Sequence, residues 1–341
     1  MSVNFTLEDR PGGGKPSVFA ASFLYMTAMM GLWFAQFAAY PINFILSRIL
    51  PEMTEQTQNT VSQIVYYLLF IILPVVLYTK KHPSCAVSMR INPISGKAAL
   101  LCVLASAVGV LFINYITSIW VILIEAVGGT VTQSGISMPE NIQALAGMVI
   151  FVGVMPGICE EVLFRGVMLG AWEEKGSLSA MLIVSMWFTF LHASIEGIPA
   201  EFVSGLILAF VVISTDSLFA GMIYHTVHNS LCLIIAYIAN GAEIAGEGAH
   251  LAESASMLES IGGFFGLLVL LFYIGGTGAL LLFILKRIDK IRIRQERFEF
   301  GVNRAQRREM PISEVLVIAA CGIVAFMMYL MNFLEIVGII S

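Results

Sequence analysis

The sequence predicts an all-α, polytopic transmembrane helix bundle, and three observations carry that reading. Apolar residues make up 58% of the 341 residues and charged ones 12%, about half the roughly 25% of an ordinary globular chain. Apolar runs of ~20 residues, long enough to cross a bilayer as a helix, recur along most of the chain. The basic residues collect in alternate segments between those runs, as they do in cytoplasmic loops. No nucleic-acid partner is expected of such a chain.

Residues 1–17 read as a polar N-terminal tail. The stretch through Lys15 is polar and the first apolar run is too long for a signal h-region, so no cleavable signal is expected. Nine candidate spans follow at about 18–48, 60–79, 98–127, 143–171, 178–194, 199–214, 217–239, 261–285 and 312–339. The fifth and sixth are short, and either a tightly turned helix pair or one re-entrant helix fits them. The expected organisation is therefore about 8–9 spans: a bundle over 18–285, a basic loop over 286–311 and a final helix over 312–341.

Loop charge orients the bundle. With the N-terminus inside, the inner segments receive Arg10, Lys15, Lys80, Lys81, Arg90, Lys97, Lys175 and the basic residues from Lys286 to Arg308, 16 of the 18 in the chain. The loops at 128–140 and 240–258 carry no Lys or Arg. A multi-pass protein of the cell membrane with a cytoplasmic N-terminus follows. Within 286–310, basic residues alternate with Ile288, Ile291, Ile293, Phe298 and Phe300. That pattern suits a linker that sets topology, and it also suits an amphipathic helix lying on anionic lipids. No internal repeat is evident, so an inverted-repeat transporter gains no support.

The five cysteines, Cys85, Cys102, Cys159, Cys232 and Cys321, show no CxxC spacing and suggest neither a disulfide framework nor a thiolate metal site. Cys159 adjoins an acidic pair, yet reads as a small buried residue rather than a nucleophile.

That acidic pair is the centre of the sequence. Glu160, Glu161 and Arg165 lie in an otherwise apolar run from Ala144 to Trp172. Charged groups there cost roughly 3 kcal/mol each by insertion scales, so they persist with partners or with a task. Glu161 and Arg165 are four apart and can pair on one helical face. Glu160 points about 100° away and is left for chemistry. Further on, His192 follows Phe188 by four, His225 precedes Asn229 by four, and His228 could share that face. With a rise of ~1.5 Å per residue, Glu160, His192, His225 and Asn229 come to similar depths near the middle of the bilayer. His82 and His250 fall in loops.

Such a set allows water-dependent cleavage of an acyl bond. A carboxylate among apolar neighbours suits a general base. A histidine facing it can orient the water or pass a proton to a leaving amine. A second histidine with an asparagine amide can donate to a developing oxyanion. Glu161 and Arg165 would hold the helix and set the local field.

The motifs Glu160-Glu161-x-x-x-Arg165, Phe188-x-x-x-His192 and His225-x-x-x-Asn229, in that order, resemble those of the CAAX protease and bacteriocin-processing (CPBP or Abi) family of intramembrane endopeptidases. The resemblance covers about 145–235. It implies that Glu160 is the water-activating base with His192 beside it. It makes His225 and Asn229 the oxyanion stabilisers and Glu161 and Arg165 supporting residues. A peptide or protein substrate entering from the membrane is implied, CAAX-like or bacteriocin-related. No cofactor is favoured, because HExxH is absent; zinc held by Glu160, His192 and His225 is the alternative. Two other classes stay open, a proton-coupled transporter and a non-catalytic immunity or scaffold protein. A paired-aspartate protease is excluded, since the only aspartates are Asp9, Asp216 and Asp289.

Overall fold

A computed structural model describes residues 15–49, 55–131, 139, 141–173, 176–245, 258, 261–291 and 311–337. Among these residues the chain is helical and no strand occurs. Helix α1 is Val18–Ile49. Helix α2 runs without a break through Glu55–Tyr66, Tyr67–Ile72 and Leu73–Lys81, the middle part π-helical. A short α3, Pro83–Ser88, precedes α4, Gly96–Ala126. Helix α5 is Ile142–Trp172, followed by α6, Ser177–His192, and α7, Ile198–Thr215. Helices α8, Leu218–Ala245, α9, Gly263–Ile291, and α10, Ile312–Ile336, complete the bundle.

Seven of these helices contain stretches long and apolar enough to cross a membrane, and Val18–Phe34 and Ser177–His192 are shorter apolar helices. The protein is an all-α, multi-pass helix bundle. Large apolar side chains such as Phe264, Phe265, Phe272 and Phe326 stand on its outer surface, as a lipid-facing wall requires.

The helices form two groups. Helices α1, α2, α5, α6 and α10 share one core, in which Tyr25, Ile71, Phe164, Trp187 and Cys321 are buried together. Helices α4, α8 and α9 share another, built on Ile113, Tyr224 and Leu281. Helix α7 joins them: Ala209, Val212 and Ile213 enter the first core, and Ile207, Leu208 and Val211 the second. A helix apolar all round belongs in an interior. The brevity of α7 thus reflects a helix packed inside the bundle. Helices α6 and α7 form an adjacent packed pair joined by the short turn 193–197.

One boundary differs from the sequence reading. Helix α9 continues to Ile291, so Lys286, Arg287 and Lys290 are helical where a loop is expected from 286. No Gly or Pro interrupts this stretch. Ile288 is fully buried in the second core, which pulls the extra turn into the bundle. Residues 292–310, with Ile293, Phe298 and Phe300, lie outside the described residues, as does His250.

The placement of the site rests on α5 against α8, packed antiparallel. A Cβ on Gly157 would stand 2.8 Å from the Thr226 backbone nitrogen, and one on Gly153 would stand 2.6 Å from Ser230 Oγ. Small residues at these two positions let the backbones approach until facing side chains can bond. At one end Arg90 locks the register. Its guanidinium reaches Glu173 at 2.6 Å and Asp216 at 3.1 Å, while its carbonyl accepts from Leu218 N–H at the start of α8.

Candidate active site

Helix α5 delivers the acidic pair to two different environments. Glu161 Oε1 accepts from Arg165 Nη1 at 2.8 Å and from His225 Nδ1–H at 3.0 Å. Its other oxygen lies against α8, where a Cβ on Gly221 would come within 2.6 Å of it. Arg165, fully buried, also donates through Nη2 to the Gly205 carbonyl at 3.1 Å and lies 4.6 Å from the Phe188 ring centre. Gly205 in turn lets α7 close on α6, since a Cβ there would meet Ser185 at 2.8 Å. The pair therefore ties together α5, α6, α7 and α8.

Glu160 is held differently. Its Oε1 accepts from the Tyr67 hydroxyl at 2.7 Å, a bond from α2. Its Oε2 makes no hydrogen bond among the described residues and faces His225 Nε2 at 4.0 Å. That separation exceeds a direct hydrogen bond and is one a bridging water can span. Because a carboxylate can only accept, the proton between His225 and Glu161 sits on Nδ1. The Nε2 atom is then left facing Glu160 and can donate only as the imidazolium.

Phe188 is the hinge of the aromatic packing. Its ring meets His225 edge-on at 5.8 Å and His192 at 4.7 Å. His192 is the last residue of α6, where Ala193 adopts the left-handed conformation with φ 50°. It is therefore at a helix end rather than in mid-helix. Its Nδ1 donates to the Phe188 carbonyl at 2.9 Å, and its Nε2 faces Glu201 Oε2 at 3.5 Å.

Asn229 donates to the Val152 carbonyl at 3.3 Å. The origin of this bond is Pro156. Four residues after Val152, it has no N–H to return to that carbonyl, and α5 runs through a π-helical stretch, Val149–Val154, just before it. The Asn229 amide serves the carbonyl so exposed and still lines a cavity of about 190 Å³ with Phe188, Glu201, His225 and His228. His228 stacks on Tyr224 at 5.9 Å, and its Nδ1 is buried without a hydrogen bond among the described residues.

Two residues at the site escaped sequence reasoning. Tyr67 carries no signal, being an aromatic residue in an apolar run. Glu201 was legible: it is a carboxylate within an apolar span, and such residues are rarely idle.

The histidines and carboxylates do not form a metal cage. Among the described residues no group of three His, Cys, Asp or Glu side chains is placed to hold an ion. His192 Nε2 is turned to Glu201 and His225 Nδ1 to Glu161, which leaves only Glu160 Oε2 and His225 Nε2 facing one another. The three-ligand zinc set of Glu160, His192 and His225 does not fit this arrangement.

The comparison with known families bears on the same segment. Residues 142–231 match the family described as type II CAAX prenyl endopeptidase Rce1-like. All three motifs lie inside the match. No curated protein and no solved structure matches the chain. The match agrees with the CAAX protease resemblance and supports, at family level, a hydrolase of the CAAX endopeptidase kind. The segment it covers is α5 to the middle of α8, the helices that carry every residue of the candidate site except Tyr67.

Proposed function

We propose that this protein is an intramembrane endopeptidase that cleaves a peptide bond of a CAAX-like or bacteriocin-related peptide in the cell membrane. The observation that supports it best is the asymmetry of Glu160: one oxygen fixed by Tyr67, the other unbonded and facing an imidazole nitrogen.

In this reading a water between Glu160 Oε2 and His225 Nε2 gives its proton to Glu160, and its oxygen bonds to the scissile carbonyl carbon. The carbonyl oxygen becomes an oxyanion, to which the second N–H of Asn229 can donate. Nε2–H of His225 can donate as well where the ring enters the step already protonated between Glu160 and Glu161. In the same reading His192 serves the leaving amine. Glu161 and Arg165 hold the imidazole of His225 through its Nδ1. Donors fixed before the reaction cost no reorganisation when charge develops, which is why the packing of α5 on α8 matters to rate. The N-terminus is cytoplasmic in this proposal, and the basic stretch after α9 meets anionic lipid headgroups.

Purified protein in liposomes should cleave fluorogenic CAAX-terminated peptides, prenylated or not, and exhaustive chelation should leave the rate unchanged. Activity lost to chelation and restored only by zinc would overturn the metal-free mechanism. Asn229→Ala should lower kcat by about 10²–10³ with little change in KM, as for loss of an oxyanion donor. His228→Ala should be much milder, since its imidazole stacks on Tyr224 instead of facing Glu160. Equal losses in the two variants would show that the wrong face of α8 has been assigned.

A further inference from the structure

Resting on the endopeptidase reading, we infer that Glu201 shares a proton with His192 and that this pair protonates the leaving amine. A carbonyl can only accept, so the bond to Phe188 places a proton on His192 Nδ1. Nε2 of the neutral ring then carries a lone pair, and a carboxylate oxygen at 3.5 Å carries lone pairs too. The two attract only if one more proton lies between them, on the imidazole or on the carboxyl group. The pair is therefore a store for one proton, and its Glu201 lines the cavity beside His225 and Asn229.

Its surroundings fit that task. Glu201 occupies the first turn of α7, where the helix dipole favours a carboxylate. Both side chains keep more than a quarter of their surface accessible, whereas Glu160 is 5% exposed and Glu161 is fully buried. The charged groups that act on His192 are Glu201 from α7 and Glu160 and Arg165 from α5. The turn joining the two residues is pinned from outside. Trp120 Nε1–H donates to the Ile195 carbonyl at 2.8 Å, and the Ile195 N–H donates to Asn332 Oδ1 at 2.8 Å. Tyr329 O–H donates to the Thr189 carbonyl at 2.9 Å. Helices α4 and α10, beyond the Rce1-like match, thus fix the His192–Glu201 pair.

The step balances. As the tetrahedral intermediate collapses and the C–N bond breaks, the amine nitrogen takes the Nε2 proton. The proton that Glu160 took from water then returns to the pair, leaving acid and amine as products. Glu201 acts through His192 and is a positioning residue.

The test compares a prenylated, CAAX-terminated fluorogenic peptide with its analogue carrying an ester at the scissile position, because an alkoxide departs with less help from an acid. Glu201→Gln should lower the amide rate by about 10²–10³, within the range of general acid catalysis, and the ester rate by less than about tenfold. Glu201→Asp should recover part of the amide rate. The ratio of the two rates in one sample is independent of any unfolded fraction, so a stability loss does not disturb it. An unchanged ratio in Glu201→Gln overturns the assignment of Glu201 alone. Wild-type protein that cleaves neither substrate, or Glu160→Gln that cleaves both at the wild-type rate, overturns the endopeptidase reading and this inference with it.

Discussion

Glu160→Gln should abolish peptide cleavage while the protein stays folded. The amide keeps the size of the carboxyl group and can still accept from Tyr67, so the contact between α2 and α5 survives. What is lost is the unbonded acceptor that faces His225 Nε2 and can take a proton from water. General base catalysis contributes about 10²–10⁴ in rate, and a neutral amide supplies none of it. The measurement is turnover on a fluorogenic peptide beside melting of the purified variant. Retained turnover, or a collapse of stability as large as that of Arg165→Ala, would show that Glu160 is a structural residue. Tyr67→Phe is the companion variant: it frees the second oxygen of Glu160 and should lower kcat without abolishing it.

Arg165→Ala should have the largest effect on the fold. The guanidinium is fully buried and ties Glu161 on its own helix to the Gly205 carbonyl on α7. Removing it leaves a buried carboxylate with one partner, His225, and an unserved carbonyl. Breaking a buried pair from one side costs about 3–5 kcal/mol. A melting temperature in detergent lower by on the order of 10 °C, with poor yield, is the expected result. Arg165→Lys should rescue little, because one ammonium cannot reproduce a planar fork that reaches two helices. Activity should fall with stability, since Glu161 would lose the partner that keeps it aimed at His225. A variant with normal melting would show that the bundle holds these helices without the ion pair.

The helical, membrane-embedded class was legible because bilayer thickness converts directly into apolar run length, and each expected span coincides with a helix to within a few residues. The resemblance to the CAAX protease family was legible because three motifs in one order constrain a sequence far more than any single pair of charges, and the family match to residues 142–231 covers that segment. The Glu161–Arg165 pair was legible because it is local, set by four residues of one helix.

What the tertiary structure alone decided is which atom meets which across helices. His225 Nδ1 is committed to Glu161, a residue 64 positions earlier, and Nε2 is left facing Glu160. Asn229 is engaged by a carbonyl that a proline on another helix leaves unserved. His192, the last residue of its helix, turns to Glu201. Tyr67 reaches Glu160 from 93 residues away. Helical periodicity tells which face a side chain occupies. It does not tell which helix will lie against that face, because in lipid apolar surfaces are nearly interchangeable, and small residues and hydrogen bonds choose the partner.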